Sequence, residues 1–351
     1  MTQDLQNKIE NIISHNPQAD DREIVFQLKQ LLHEKTLQDS VGKDVKSITD
    51  LVNENMRRLK GDASAEGHMI KSGFKDLDKL IGGFRFGEFV VVGGRPSMGK
   101  TQLLINLSLF ISESLPTLYV TYDLSEFLLT NRFISSVSEI PTQNILQQEL
   151  DKKQKNKLNA IGTAFQKRKL FIHDSCDSSI EALKALCQKQ IHDNGIRVIF
   201  IDYLQLISSY HHRKYRELEV SHVCRELKHI AKENDVCVVA SSQLSRAVET
   251  RGGSEGKRPL LSDLRESGAI EQDADKVLLV HRPEYYGITV DNLENSLINQ
   301  AEIIVAKNRN GRLGSFFLSR DQDFTNFRTY VEQKDFTFSA KRLLELEEMP
   351  F

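Results

Sequence analysis

The 351-residue sequence contains no tryptophan, four cysteines and seven prolines, and each scarcity excludes a class of protein. So few prolines, with nineteen glycines, rule out collagenous, mucin-like and other low-complexity chains. Cys176, Cys187, Cys224 and Cys237 form no C-x-x-C pair, so neither a disulfide scaffold nor a zinc ligand set is expected; they read as reduced thiols packed in core strands and helices. Apolar runs such as Val198–Ile201 and Val277–Val280 break long before they could span a bilayer. Met1-Thr2-Gln3-Asp4 lacks the basic and apolar regions of a secretory signal, so a cytoplasmic protein without a membrane partner is expected. There is also no excess charge: 47 Lys and Arg face 49 Asp and Glu, a net of -2. Any contact with nucleic acid must therefore come from local patches or from repetition in an assembly.

What is present describes an ordinary globular chain, 39% apolar and 27% charged, long enough for two domains or one large core with appendages. In residues 1–40, Leu5, Ile9, Ile12 and Ile13, then Ile24, Leu28, Leu31 and Leu32, fit two short amphipathic helices around Asn16-Pro17. A linker-like helix at 42–60 follows, with Val45, Ile48, Val52 and Leu59 along one stripe and Arg57, Arg58 and Lys60 near its end. Gly61-Asp62-Ala63-Ser64 then reads as a flexible connection, completing a linker segment at 41–69. From about residue 70 to 335, β-rich runs alternate with helical ones, which predicts an α/β fold with a mainly parallel sheet wrapped by helices. Strands are expected at 88–93, 117–122, 169–173, 197–202, 236–241 and 276–281, and helices at 101–113, 125–138, 179–193 and 217–234. Two further strands, 301–306 and 314–318, flank Asn308-Arg309-Asn310-Gly311, a hairpin signal, and 336–351 is a C-terminal tail.

The sharpest motif is Gly94-Arg95-Pro96-Ser97-Met98-Gly99-Lys100-Thr101, a complete G-x-x-x-x-G-K-[ST] between an apolar strand and an amphipathic helix. Its glycines let backbone N–H groups face phosphate oxygens, and the helix adds its positive end. Lys100 is placed to meet the β- and γ-phosphates, and Thr101 to give a hydroxyl to Mg²⁺, which makes ATP with Mg²⁺ the expected ligand. Such a site needs a carboxylate on a neighbouring strand, and Val198-Ile199-Phe200-Ile201 followed by Asp202 supplies one. Strand 236–241 runs into Ser241-Ser242-Gln243, where Gln243 either reads the γ-phosphate by hydrogen bonding or is a solvated loop residue.

The phosphate loop, Ile201-Asp202-Tyr203-Leu204-Gln205-Leu206, Ser242-Gln243-Leu244-Ser245-Arg246, Ser262-Asp263-Leu264-Arg265-Glu266-Ser267-Gly268, Glu271-Gln272-Asp273-Ala274-Asp275 and Ala306-Lys307-Asn308-Arg309-Asn310-Gly311 occur in this order. Over about residues 70–330 this resembles the C-terminal motor of DnaB-type replicative helicases. The resemblance implies a RecA-like ATPase in a homo-hexameric ring around single-stranded DNA, translocating 5′ to 3′ with ATP at subunit interfaces. It also implies that Lys307 and Arg309 act in trans on the neighbour's γ-phosphate, as two cations able to offset charge in phosphoryl transfer. Arg265, Glu266, Ser267 and Gly268 match the family's channel loop; Arg265 supplies a guanidinium for DNA phosphates and Gly268 permits close backbone approach. Repetition around a ring would let a nearly neutral chain grip DNA, with affinity that falls steeply with salt.

Two features depart from the family. Thr121-Tyr122-Asp123-Leu124 carries Asp123 where the family has the glutamate that activates water, so reach is shorter at similar basicity, and Glu126 one turn on is a possible substitute or an ordinary first-turn carboxylate. Residues 1–40 are too few for the family's N-terminal collar, so ring assembly and a loader are expected, while primase recruitment is not carried over. The basic stretch Lys152, Lys153, Lys155, Lys157, Lys167, Arg168 and Lys169 reads as a solvated helix face before it reads as a nucleic-acid contact. Two functions follow for testing: an ATP-dependent DNA helicase, or an ATP-gated single-stranded DNA-binding or loading factor with little unwinding.

Overall fold

The computed structural model describes residues 45–59, 69–209, 215–253, 255–264, 268–321, 323 and 325–329. The expected helices of residues 1–40, the Gly61–Ser64 connection, Arg265, Glu266, Ser267 and the tail at 336–351 lie outside the described residues. The chain divides into two units, Met1–Glu66 and Gly67–Phe351.

In the first unit the described element is helix α1 (Ile48–Leu59). Ser47 starts it, its hydroxyl accepting the Asp50 N–H at 3.1 Å. Ile48, Leu51, Val52 and Met56 form the apolar stripe, and all four are exposed.

The second unit is built on a nine-stranded sheet with the order β11-β10-β9-β8-β3-β7-β6-β4-β5. A small antiparallel pair precedes it, β1 (Met69–Ile70) with β2 (Phe84–Arg85), enclosing helix α2 (Lys75–Ile81). The large sheet begins with β3 (Phe89–Gly94), α3 (Lys100–Ile111), β4 (Thr117–Thr121), α4 (Glu126–Ser138), α5 (Thr142–Gln147), α6 (Lys152–Gln166) and β5 (Leu170–Asp174). It continues with α7 (Ile180–Asn194), β6 (Val198–Asp202), α8 (Arg216–Glu233), β7 (Cys237–Gln243), α9 (Ala247–Thr250), α10 (Gly268–Asp273) and β8 (Lys276–His281). Three antiparallel strands close it: β9 (Gln300–Asn308), β10 (Gly314–Arg320) and β11 (Phe327–Thr329).

Six strands, from β5 to β8, are parallel, so both faces of the sheet must be covered and the central strands are apolar along their whole length. Side chains alternate between the faces. Val90, Val92, Tyr119 and Phe200 pack with Leu103, Leu104 and Phe133 of α3 and α4. Phe89, Val91, Leu118, Val120 and Ile199 pack with Leu183 of α7 and with Val223 and Leu227 of α8. In this unit the expected strands and helices match these elements to within a residue or two; the linker helix expected at 42–60 is corrected, since Ser47 caps it and it begins only at Ile48, leaving Val45 outside the helix. Short elements with little pattern, α2, α5, β1, β2 and β11, had no expectation. Helix starts follow side-chain caps: Ser125 accepts from Leu128 N–H, Asp151 from Gln154 N–H and Ser179 from Ala182 N–H.

One expectation about cysteines is corrected. Cys187, Cys224 and Cys237 are buried packing thiols, and burial lifts the Cys187 thiol to about 12. Cys176 is exposed, because it lies just past the end of β5 rather than inside a core element.

Candidate functional site

The phosphate loop leaves the C-terminal end of β3, which is flanked by β7 on one side and β8 on the other. Loops on that edge can converge on a ligand because neighbouring parallel strands all deliver their C-terminal ends there. They enclose a cleft of about 790 Å³ lined by residues that include Pro96, Ser97, Gly99, Lys100, Thr101, Asp123, Asp202 and Gln243. The candidate nucleotide residues from four separate strands thus share one cavity.

The loop's backbone follows from its sequence. Ser97 and Gly99 both adopt positive φ, 65° and 98°, which turns successive N–H groups inward. A Cβ at Gly94 would lie 3.1 Å from Lys100 Cγ and 3.3 Å from the Val280 carbonyl, so the bare glycine lets the lysine stem cross. Lys100 Nζ donates to the Arg95 carbonyl at 3.0 Å. Burial pulls its ammonium down to about 8, against the attraction of Asp202. A desolvated cation at the mouth of a glycine turn is the charge a phosphate group would satisfy, so ATP fits the residues present.

Asp202 is buried, its Oδ1 accepting from Ser241 Oγ at 2.5 Å and its Oδ2 from Tyr119 Oη at 3.2 Å. These donors fix the carboxylate beside Lys100 and Thr101, the donor set a hydrated Mg²⁺ would use. Among the described residues no cluster of three His, Cys, Asp or Glu forms a self-sufficient metal cage. Such a site suits a metal that arrives with phosphate and retains water.

Sequence reasoning left Gln205 without a role, and the structure supplies one. Its amide donates to Ser242 Oγ at 2.9 Å and to the Gln243 carbonyl at 3.2 Å, while its Oε1 accepts the Gln243 N–H at 3.1 Å. The β6–β7 ladder ends at Ile201 and Ala240, and Gln205 extends the pairing past it. The Gln243 backbone is therefore held at the cleft edge, where its residue lines the cavity. Arg132, Arg282, Arg320 and Asp323 also line the cleft, brought there from strand ends and a helix with no shared sequence pattern. Arg282 Nη1 donates to the Ser97 carbonyl at 2.9 Å and Nη2 to Glu284 at 2.8 Å.

Other candidates stand apart from the cavity. Arg95 and Met98 belong to the phosphate loop by sequence, but their side chains are buried away from the cleft: Met98 joins the core and Arg95 bonds Leu244 and Glu249. Glu126 is exposed and does not line the cleft; its N–H donates to Asp174 Oδ2 at 3.2 Å. Lys307 and Arg309 lie at the opposite edge of the sheet, where Asn308 pairs with Lys276 at the start of β8. Lys307 Nζ donates to the Glu271 and Gln272 carbonyls and Arg309 to the Gln272 carbonyl, while Arg309 Nη1 is 3.4 Å from Asp275. Gly268 begins α10 and is exposed. In the basic stretch most side chains are exposed, but Arg168 clamps the Leu109 and Ala164 carbonyls and Glu113.

A RecA-like sheet, a phosphate loop and an aspartate two strands away define a P-loop NTPase. Comparison places it further: residues 69–329 match the DnaB-like helicase C terminal domain, and the chain belongs to that family. It is similar to a probable replicative DNA helicase of Trieres chinensis, 39% identical over 295 residues, covering 83% of this chain and 64% of that one. It is also similar to the replicative DNA helicase DnaC of Bacillus subtilis (strain 168), 35% identical over 277 residues, covering 78% of this chain and 58% of the relative. The chain thus spans less than two thirds of the length of these relatives. Among solved structures, an ATPase domain has a TM-score of 0.73 at 31% identity, covering 82% of this chain and 100% of that one. A DnaB-like replicative helicase, solved in a study of its interactions with primase, has a TM-score of 0.76 at 28% identity, covering 93% and 76%. Among the described residues no helix is long and apolar enough to cross a membrane.

Proposed function

We propose that this chain is the motor of an ATP-dependent DNA helicase that assembles as a homo-hexameric ring, translocates 5′ to 3′ on single-stranded DNA and acts in cytoplasmic DNA replication or a related process. The observation that carries the proposal is the division of the machinery between two sheet edges. Lys100, Thr101, Asp202, Gln243 and Asp123 line one cleft, whereas Lys307 and Arg309 lie at the far edge. Five steps along β3 at about 3.3 Å each separate those edges by roughly 16 Å, farther than one side chain spans. The two cations are therefore assigned to the cleft of a neighbouring subunit.

In that assembly Lys100 holds the β- and γ-phosphates and Thr101 and Asp202 hold the shell of the Mg²⁺ that accompanies them. The bound metal supplies positive charge to the phosphate oxygens. Asp123 orients and deprotonates the attacking water, and Gln243 hydrogen-bonds the γ-phosphate, so that β7 reports its presence. Lys307 and Arg309 of the adjacent subunit offset charge developing on the transferred group. Gly268 and the residues before it in sequence, Arg265, Glu266 and Ser267, follow the phosphates of DNA. A loader is a proposed partner.

The test is DNA-stimulated phosphate release together with displacement of a 5′-tailed strand, with Lys100→Ala as the control. Both activities in the wild type and neither in Lys100→Ala are expected. Hydrolysis without displacement overturns the helicase reading.

A further inference from the structure

The arginine of the phosphate loop faces away from the ligand it is adjacent to in sequence. Its side chain is 8% exposed, Nε and Nη2 each lying 2.9 Å from Glu249 Oε1, and Nη1 donates to the Leu244 carbonyl at 2.8 Å. A guanidinium so desolvated does not leave its carboxylate readily, since a buried charge left without its partner is unfavourable. Glu249 must then follow Arg95 when the loop moves.

Glu249 belongs to a tied segment. Leu244 N–H donates to the Gly94 carbonyl at 3.2 Å and Ser245 N–H to the Asp263 carbonyl at 2.8 Å. Arg251 Nη2 and Leu260 N–H both donate to Asp263 Oδ2 at 2.6 Å, and Lys257 Nζ donates to the Glu249 carbonyl. Packing adds a second tie: a Cβ at Gly93 would come within 3.2 Å of both Leu244 and Leu264. The described residues of 244–264 are therefore fastened to the phosphate loop at one end and stop one residue short of Arg265 at the other. The trigger lies in the same loop, because the Arg95 carbonyl accepts from Lys100 Nζ, the ammonium that phosphate would claim.

We propose that Arg95 is a positioning residue that couples phosphate occupancy, through Glu249 and Asp263, to the segment leading into the polynucleotide contact. This rests on the reading of the cleft as the ATP site and of 265–268 as the DNA contact. Linkage then requires nucleotide to change DNA affinity and DNA to change nucleotide affinity by the same factor.

The experiment measures binding of a fluorescent oligo-dT to the full chain with and without saturating Mg²⁺ and the slowly hydrolysed analogue ATPγS. It compares the wild type with Glu249→Gln, Arg95→Met and the double variant. Glu249 is half exposed, so Glu249→Gln keeps the arginine's shape and burial while removing the charge that ties it. The wild type is expected to show a coupling factor of about tenfold, falling below about twofold in each single variant, with the double variant no lower than the singles. ATPγS affinity measured without DNA stays within about twofold of wild type in Glu249→Gln, an outcome a general folding defect would not give. A wild type that couples while Glu249→Gln couples equally overturns the inference alone. A wild type that binds neither oligo-dT nor ATPγS overturns the helicase reading and the inference with it.

Discussion

Raising the pH above neutrality should weaken nucleotide binding, and Lys100 sets the size of the effect. Burial holds its ammonium at about 8 in the nucleotide-free protein, and a phosphate bound against it restores the charged form. Above pH 8 the free protein must first take up a proton before it can bind. Between pH 7.5 and 9 the fraction of free protein carrying the charge falls from about three quarters to about one tenth, so Kd should rise about eightfold, roughly 1.2 kcal/mol. The phosphate's own titration is complete below this window, so it does not contribute. Isothermal titration of ATPγS in buffers of different ionisation enthalpy should show uptake of about 0.9 proton per nucleotide at pH 9. Lys100→Arg should abolish both the slope and the uptake, since arginine does not titrate here. A Kd that is flat from pH 7.5 to 9 in the wild type, with no proton uptake, refutes the reasoning.

The same shift has the opposite sign for folding. The unfolded chain holds its lysine proton to 10.5 and the folded chain only to about 8, so the unfolded state binds more protons between these values. The nucleotide-free fold should therefore gain stability as pH rises through that interval, by roughly 3 kcal/mol in all. Binding weakens where the empty fold strengthens, because both effects come from one desolvated charge.

Three further outcomes are expected. Asp123→Ala should lower kcat by about 10²-fold or more with ATPγS affinity unchanged, read by steady-state hydrolysis beside equilibrium binding, and equal losses in both would refute a role in activating water. Arg309→Ala should lower DNA-stimulated kcat by about 10³-fold while isolated subunits bind nucleotide normally, and mixing it with Lys100→Ala subunits should restore some turnover, because each variant lacks a different half of the composite site. His281 is held neutral, at about 4, by burial and by Arg258 against the pull of Glu302, so stability present above pH 6.5 should be lost as pH falls toward 4. His281→Phe, which keeps the ring packed on Tyr286, should cut the acid loss between pH 7.5 and 4.5 by about 2.5 kcal/mol in denaturant titrations.

Much of the fold was legible because buried parallel strands write themselves as unbroken apolar runs. Phe89-Val90-Val91-Val92 serves two cores at once, so every position is apolar and the strand is found without knowing its neighbours. The phosphate loop was legible for a related reason: its glycines, lysine and threonine are required within eight consecutive residues. Arg282, Arg320 and Asp323 were not legible, since they reach the cleft only through strand order and share no local pattern. The direction of the Arg95 side chain was not legible either, because a motif specifies where the backbone goes and leaves the side chain free to point away. Gln205 lay in a quoted motif yet had no assignable task until the end of the β6–β7 ladder showed what it replaces.

The geometry of β3 bears on assembly more directly than composition does. Its last residue opens the phosphate loop and its first donates an N–H to Asp275 Oδ2 at 2.8 Å. Asp275 in turn accepts from Lys228 Nζ at 2.6 Å, and its carbonyl accepts the Arg309 N–H at 2.9 Å. One short rigid strand thus carries the cleft at one end and the anchor of the Arg309 hairpin at the other, with an extended ladder on both sides preventing it from bending. No motion within such a subunit can bring Arg309 to its own cleft without breaking the sheet. On the proposed reading, completing the site therefore falls to a second copy, and the relation between two copies is one a rotation must repeat. Each added subunit presents the same unfilled cleft and the same unshared cations, and only closure of a ring removes both.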